Sequence, residues 1–395
     1  MRGALVVGKQ RMMIAVIADD LTGAAEIGAI GLRHGIAAEV QTEFDPRSNA
    51  DLIVIDTGTR SSRPSEAAAT IERVVKQVLR CRPELLFKKV DSVLRGPVLA
   101  ELAALRRAAG AREVLLVPAN PSLGRVIRDG RYYVNKVPIH LTSFAGDPEH
   151  PARSSDVIEM LGRGTDSEVI VRSLAEPAAD AEIVVGEAAR ESDLSRWTRR
   201  IGVATVPAGA AGFFRAILQS KGFRERERSA ASAPTGARKT LFVCGSMSES
   251  SLSRLVAAEA NGIAVVRMPA GLLEQPDARG LVNKWASAAS NALARKDKAV
   301  LTIGRSRCGE AGMPVMLGRY LAEASEAVLR ITRVDLVCVD GGSTASALVR
   351  RIGWRRLAVC AEHAPGVVEM RVVSGDWPAI VTRPGSYAWD WPERK

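Results

Sequence analysis

One recurring unit limits what this chain can fold into: a short apolar, β-branched run, then a cluster of Asp, Arg, Gly or Ser, then a helical pattern. Residues 14–17 read as a strand that enters Ala18-Asp19-Asp20-Leu21-Thr22-Gly23, and residues 24–34 read as a helix closed by Gly35. Residues 52–55 form a second strand ending at Asp56-Thr57-Gly58-Thr59-Arg60, followed by a long amphipathic helix over 64–80. Residues 85–90 form a third, ending in Asp91-Ser92. Pro97 suits the first turn of a helix reaching Ala109, and residues 114–117 are the next strand. Strands alternating with helices of this length predict an α/β fold with largely parallel sheets. Asp19, Asp20, Asp56, Arg60, Asp91 and Arg95 all follow the C-terminal end of a predicted strand. Open α/β sheets bind ligands at that edge. A helix cap would account for Asp19 or Asp20 alone, but a cap needs neither two arginines nor a twin aspartate.

The pattern restarts after an apolar-poor stretch. Residues 224–239 read Arg-Glu-Arg-Glu-Arg-Ser-Ala-Ala-Ser-Ala-Pro-Thr-Gly-Ala-Arg-Lys, the composition of a linker. We place the domain boundary there, with one domain over 1–223 and a second over 240–395. A chain of 395 residues accommodates two such cores. The second domain opens with a strand over 241–244 and the turn Gly245-Ser246-Met247-Ser248, with a helix from about Ser250. A strand over 299–303 precedes Gly304-Arg305-Ser306-Arg307. A third, over 336–339, precedes Asp340-Gly341-Gly342-Ser343-Thr344 and a helix through Ile352. Glycines let backbone amides approach a phosphate, and a helix N-terminus adds partial positive charge. Neither a Walker A sequence nor a GxGxxG after a strand occurs, which disfavours P-loop enzymes and standard dinucleotide-binding domains.

Composition narrows the rest. Apolar residues make up 47% and charged residues 25%, ordinary for a globular protein. No apolar run approaches the roughly 20 residues needed to span a bilayer. Residues 1–13 are basic and mixed and lack the pattern of a secretory signal, and Met12 or Met13 suits a start better than Met1. A cytoplasmic protein without a membrane partner is expected. The five cysteines contain no CxxC pair and read as buried thiols, and the four histidines have no metal-site spacing, so no metal ligands are assigned. The formal charge of +11 is spread along the chain, and aromatics are only 4%, so no nucleic-acid partner is expected. Cationic clefts for carboxylate and phosphate account for part of the excess.

Longer stretches carry a resemblance. They are Ile17-Ala18-Asp19-Asp20-Leu21-Thr22-Gly23-Ala24, Asp56-Thr57-Gly58-Thr59-Arg60-Ser61 and Lys88-Lys89-Val90-Asp91-Ser92-Val93-Leu94-Arg95-Gly96. Val117-Pro118-Ala119-Asn120-Pro121, Gly124-Arg125, Tyr133-Val134-Asn135 and Asp147-Pro148 with Pro151, Ser154 and Ser155 follow. Together they resemble the four-carbon acid sugar kinases, over nearly the whole chain. The resemblance implies two three-layer α/β domains and an inter-domain cleft, with the N-terminal domain for the sugar acid and the C-terminal one for ATP. Asp19, Asp20, Arg60, Asp91 and Arg95 become substrate-site residues. Ser246 and Ser248 match the family's Gly-Ser turn at the nucleotide, and Gly341, Gly342, Ser343 and Thr344 its Gly-Gly-x-Thr turn. The family closes with a Lys-Ser-Gly-x-Phe-Gly-like turn, whereas residues 383–391 here keep only Gly385 of it.

The resulting expectation is an ATP-dependent kinase, with Mg²⁺ on the nucleotide, acting on a threonate, erythronate or 3-oxo-tetronate type of acid. Arg60 and Arg95 suit a carboxylate, and Asp20 is the favoured proton acceptor ahead of Asp19 and Asp91. A structural salt bridge to Asp91 or Glu101 is the alternative for Arg95, and Lys89 suits either a phosphate or solvent. A non-catalytic sugar-acid-binding protein, an NAD-linked dehydrogenase and a homo-oligomer are left open.

Overall fold

The computed structural model describes residues 13–147, 149–162, 167–177, 180–226, 239–245, 249–272, 279–304 and 313–383. Its N-terminal half runs β1 (Ile14–Ala18), α1 (Leu21–Arg33), β2 (Ala38–Gln41), β3 (Leu52–Asp56), α2 (Pro64–Leu79), β4 (Leu85–Lys89), α3 (Val98–Ala109) and β5 (Glu113–Val117). A small excursion, β6 (Arg125–Arg128), β7 (Arg131–Val134) and β8 (Val137–Pro138), makes its own antiparallel sheet. Then come α4 (Val157–Leu161), β9 (Val169–Arg172), β10 (Ile183–Gly186), α5 (Glu191–Trp197), β11 (Thr205–Gly209) and α6 (Ala211–Ser220). The C-terminal half holds β12 (Thr240–Cys244), α7 (Glu249–Ala260), β13 (Ala264–Arg267), α8 (Arg279–Lys296), β14 (Lys298–Thr302), α9 (Met313–Ile331), β15 (Leu336–Asp340), α10 (Gly342–Ile352), β16 (Arg356–Ala364), β17 (Val367–Val372) and β18 (Ala379–Arg383).

Parallel strands with helices on both faces must be apolar on both faces. β1 obeys: all five residues are buried, Ile14, Val16 and Ala18 beneath α1, Ala15 and Ile17 beneath α2 and α3. Each such fully buried Val or Ile side chain contributes roughly 1.5–3 kcal/mol of transfer free energy. β12 repeats the arrangement. Leu241 and Val243 join the core of α8, α9 and α10, and Phe242 and Cys244 a second core that includes Leu255 and Ala258 of α7.

Each half is therefore a helix–sheet–helix sandwich, as expected, but the two sheets are not separate. They form one 15-stranded sheet in the order β13-β14-β12-β15-β18-β17-β16-β2-β3-β1-β4-β11-β5-β10-β9. All pairings within β2–β9 of that order and within β13–β18 are parallel, and β17 and β16 turn the sheet antiparallel. The seam is the antiparallel pair β16–β2, with Leu357 opposite Val40. Arg356 clamps Glu39 across it through Nε (2.7 Å) and Nη2 (2.9 Å). Gly28 of α1 lies so close to Val359 of β16 that a Cβ would stand 2.7 Å from Val359 Cγ2. Of the cysteines, Cys244 and Cys338 are buried as expected. Cys81 is half-buried and Cys360 exposed, a correction that follows from its outward place on β16, while Cys308 lies outside the described residues.

Candidate active site at the domain junction

The parallel strands deliver their polar ends to one edge. Asp19 and Asp20 leave β1 there, and α1 begins at Leu21, three residues earlier than its sequence suggests, because Asp20 caps it. Asp20 Oδ1 accepts from Gly23 N at 2.8 Å, and Oδ2 accepts from Thr22 Oγ1 at 2.5 Å. Arg60, from the loop after β3, ties three carboxylates together. Its Nε donates to Asp19 Oδ2 (2.8 Å), its Nη1 to Asp20 Oδ2 (2.6 Å), and its Nη2 stands 3.7 Å from Asp91 Oδ1. Arg95 grips Asp91 with two parallel bonds of 2.9 Å and reaches Asp147 Oδ2 at 3.2 Å. The structure thus brings Asp19, Asp20, Arg60, Asp91 and Arg95 into one cluster.

Charge balance sets the ionisation of this cluster. Burial works against the Asp19 carboxylate, yet Arg60, Lys88 and Lys89 outweigh it and hold its pKa below the usual value. Burial likewise opposes the Asp91 carboxylate, and Arg95 and Arg60 overcome it and push its pKa far down. Lys88 is fully buried against Glu101 at 2.9 Å. Lys89 is buried too, its Nζ donating to Val90 O at 3.1 Å and facing Glu26 at 3.6 Å. This corrects the solvent-facing alternative for Lys89: its side chain lies on the α1 face of the sheet, where helix packing covers it.

The glycine turn after β15 meets this cluster from the other half. Gly341 has φ +104° and precedes α10, whose N-terminus has no side-chain cap. A Cβ on Gly342 would stand 3.0 Å from Thr22 Oγ1 and Cγ2 and 3.5 Å from Asp20 Oδ2. The turn is therefore bare backbone directly opposite the Asp20 carboxylate. Gly245, at the end of β12, approaches it from the side, since a Cβ there would fall 2.1 Å from Thr344 Oγ1. Asp340 beneath the turn is not offered to a ligand. Arg383 Nη2 (2.8 Å) and Arg254 Nη2 (3.1 Å) neutralise it inside the protein. Ser246, Ser248 and Gly385 lie outside the described residues.

Two further contacts register the halves. Arg350 of α10 donates from Nη2 to Asp56 Oδ2 (2.9 Å) and to Asp56 O (3.0 Å). Asp56 is fully buried; burial raises its pKa to about 6, with Arg350 offsetting only part of the penalty. A junction cavity of about 320 Å³ opens nearby, lined by Glu26, Arg33, Asn120, Arg215 and Glu362 among others. Neither the aspartate pair nor the glycine turn lines it. The two halves instead bring a charged side chain against bare backbone where Asp20 faces Gly342.

Comparison with known proteins gives the two halves their kinds. A model of a sugar-binding N-terminal domain matches residues 14–217, and one of a nucleotide-binding C-terminal domain matches residues 241–387. The chain belongs to the four-carbon acid sugar kinase family. It is 27% identical to a D-threonate kinase of Salmonella typhimurium over 96% of each chain. It is 27% identical to a 3-oxo-tetronate kinase of Methylobacterium radiotolerans over 94% of this chain and 95% of that one. With a D-threonate kinase of Bordetella bronchiseptica it shares 34% identity over 50% of this chain and 53% of the relative. A crystal structure from Haemophilus influenzae has the same fold, with a TM-score of 0.68 at 17% identity and coverage of 95% of this chain and 97% of that chain.

Within this kinase family framework, the sequence reading overlooked Thr22, Asp147 and Arg350 as individual contributors. Thr22 and Asp147 sit inside the stretches that carry the resemblance, so a signal existed. Arg350 had none: it lies at the far end of a helix, and only the folded junction brings it to Asp56. Among the described residues no helix is long and apolar enough to cross a membrane, and no group of three or more His, Cys, Asp or Glu is placed to hold a metal ion.

Proposed function

We propose that this chain transfers the γ-phosphoryl group of ATP to a hydroxyl of a four-carbon sugar acid of the threonate, erythronate or 3-oxo-tetronate type. The observation that carries the reading is that Gly342, in the bare turn before α10, faces the Asp20 carboxylate across the junction, a Cβ there falling 3.5 Å from Asp20 Oδ2. The acid binds in the domain over residues 1–223, the nucleotide in the domain over 240–395, and 224–239 link them. The two family models and the kinase relatives support this division.

Phosphoryl transfer needs in-line placement and charge neutralisation more than covalent help. Asp19, Asp20, Arg60, Asp91 and Arg95 form the wall against which the acid's hydroxyls rest. Asp20, the carboxylate nearest the turn, accepts the proton of the attacking hydroxyl as its oxygen bonds to the γ-phosphorus and the bond to the β-phosphate oxygen breaks. The amides of Gly341, Gly342, Ser343 and Thr344, at the positive end of α10, hold the phosphates. Ser246, Ser248 and Gly385 complete the nucleotide side. Mg²⁺ would come bound to the nucleotide and would supply charge neutralisation at its phosphates; the clustered aspartates here are held by Arg60 and Arg95.

Thermal unfolding with ATP–Mg²⁺ and with NAD, side by side, tests the nucleotide assignment. A ligand at 100 times its Kd adds about 2.7 kcal/mol of stability. ATP–Mg²⁺ is expected to raise the melting temperature and NAD to leave it unchanged; the opposite pattern would reject the kinase reading.

A further inference from the structure

The cluster contains more arginine than its aspartates consume, and the surplus sits in one place. Arg60 is spread over Asp19, Asp20 and Asp91. Arg95 is occupied by Asp91 and Asp147. Lys88 belongs to Glu101, and Lys89 faces Glu26. For any of these to take a ligand carboxylate, a buried protein carboxylate must give up its partner, which strongly disfavours the exchange. Arg125 is different. Among the described residues it makes no ion pair: its Nη1 donates to the Ser92 hydroxyl, and its guanidinium lies 5.6 Å from the centroid of the Phe144 ring. A guanidinium has five N–H donors, so most of those on Arg125 remain for a ligand, and its side chain is only partly covered.

We propose that Arg125 holds the carboxylate of the substrate and so makes the site select an acid over an uncharged sugar. The inference rests on the sugar-acid kinase reading and assigns within it a residue that the cluster of aspartates does not reveal. Position supports it. Arg125 touches Ser92, which adjoins Asp91, and contacts continue from Asp91 through Arg60 to Asp20, beside Gly342. An acid with its carboxylate on Arg125 thus directs its hydroxyls toward Asp20. The mounting is fixed as well. Asn120 N donates to Arg125 O (2.8 Å) and Arg125 N to Asn120 O (3.1 Å), and the buried Tyr132 hydroxyl donates to Ser92 O, tying the small sheet to the loop after β4. Gly124, at φ +66°, has no room for a Cβ, which would fall 2.0 Å from Asn135 Oδ1. The Phe144 ring faces the guanidinium at 5.6 Å, a contact in which a planar guanidinium and a lysine ammonium are not interchangeable. Arg60 and Arg95 then act as positioning residues for the aspartates.

Calorimetric titration of the full chain decides this, using D- and L-threonate and erythronate as probes, with threitol and erythritol as uncharged controls and ATP–Mg²⁺ on the same samples. Arg125→Gln should weaken the bound acid by about 10- to 100-fold, the range of a lost charge-assisted hydrogen bond. ATP–Mg²⁺ and the tetritols should bind as in the wild type, and Arg125→Lys should recover part of the loss. If Arg125→Gln fails to fold, the lysine variant carries the test through acid affinity alone, with intermediate affinity expected. Wild-type acid affinity in a folded glutamine or lysine variant overturns the proposal, as does parallel loss of acid and tetritol. A wild-type chain that binds ATP–Mg²⁺ but none of the acids overturns the substrate reading itself, and is told apart by needing no variant.

Discussion

The two sides of the junction solve the same problem, holding a negatively charged ligand, by opposite means. The N-terminal side is crowded with ionised side chains, each fixed by another: Arg60 alone meets three aspartates. Among the described residues, the C-terminal side is nearly bare. Gly341 and Gly342 expose main chain at the start of α10, and the one carboxylate beneath them, Asp340, is neutralised internally. The difference suits the two ligands proposed above. A small polyhydroxy acid must be told from its isomers, which takes side chains at fixed angles. Phosphates are recognised by amides and a helix terminus whatever nucleoside they carry. On the proposed function, selectivity falls to the first region and affinity for a common donor to the second.

Substitutions that break one region without the other sharpen this comparison. The largest effect is expected at Asp20. Asp20→Asn keeps a competent helix cap but removes the proton acceptor, so kcat should fall about 10²–10⁴-fold while ATP affinity is unchanged in steady-state kinetics. Near-normal turnover would remove Asp20 from that role. Next is Arg60→Ala, which leaves three clustered carboxylates without their shared cation. Chemical denaturation should show a loss of about 3–5 kcal/mol, and a loss below 1 kcal/mol would mean that the cluster does not depend on Arg60.

Asp56 lies between the regions and gives a pH signature. Its folded pKa of about 6 exceeds the ordinary 3.8, so the folded state binds its proton more tightly than the unfolded chain does. The resulting stabilisation is complete below pH 3.8 and is lost as pH rises through 6. Relative to Asp56→Asn, wild-type stability should fall by on the order of 2–3 kcal/mol between pH 4 and 6.5. Parallel stability curves would contradict this. Asp19 and Asp91, with depressed values, contribute in the opposite sense, and their stabilisation is lost only below pH 3.8. The smallest effect is expected at the bare turn. Gly341→Ala forces an alanine to φ +104°, and KM for ATP should rise about tenfold, equivalent to ~1.4 kcal/mol of backbone strain. Acid binding should be untouched, and a matching loss of acid affinity would show that the two regions are not separable.

Much of this was legible in the chain, for local reasons. Parallel strands buried on both faces leave unbroken apolar runs, so β1, β3, β4, β5, β12, β14 and β15 could be placed to within a residue or two. Asp19, Asp20, Asp56, Arg60 and Asp91 stood out because polar residues at strand ends interrupt that pattern. What stayed hidden depends on contacts distant in sequence. The seam β16–β2 pairs Leu357 with Val40, and no local signal says that the two sheets merge. Half-buried strands such as β9 and β13, and the turns of the small sheet, carry weak patterns. The covered Lys89 looked like a residue free to face solvent because its cover, Glu26, comes from a helix that precedes β4 by some fifty residues.

On the proposed function, a phosphoryl group passes from ATP to a small acid where Asp20 faces the glycine turn. The most direct test couples ADP formation to a spectroscopic readout across D- and L-threonate, D- and L-erythronate and 3-oxo-tetronate, with Mg²⁺ present. ADP release should depend on one of these acids and fall about 10²–10⁴-fold in Asp20→Asn. A folded, ATP-binding protein that is silent across the panel, or whose ADP release ignores the acid, would contradict it.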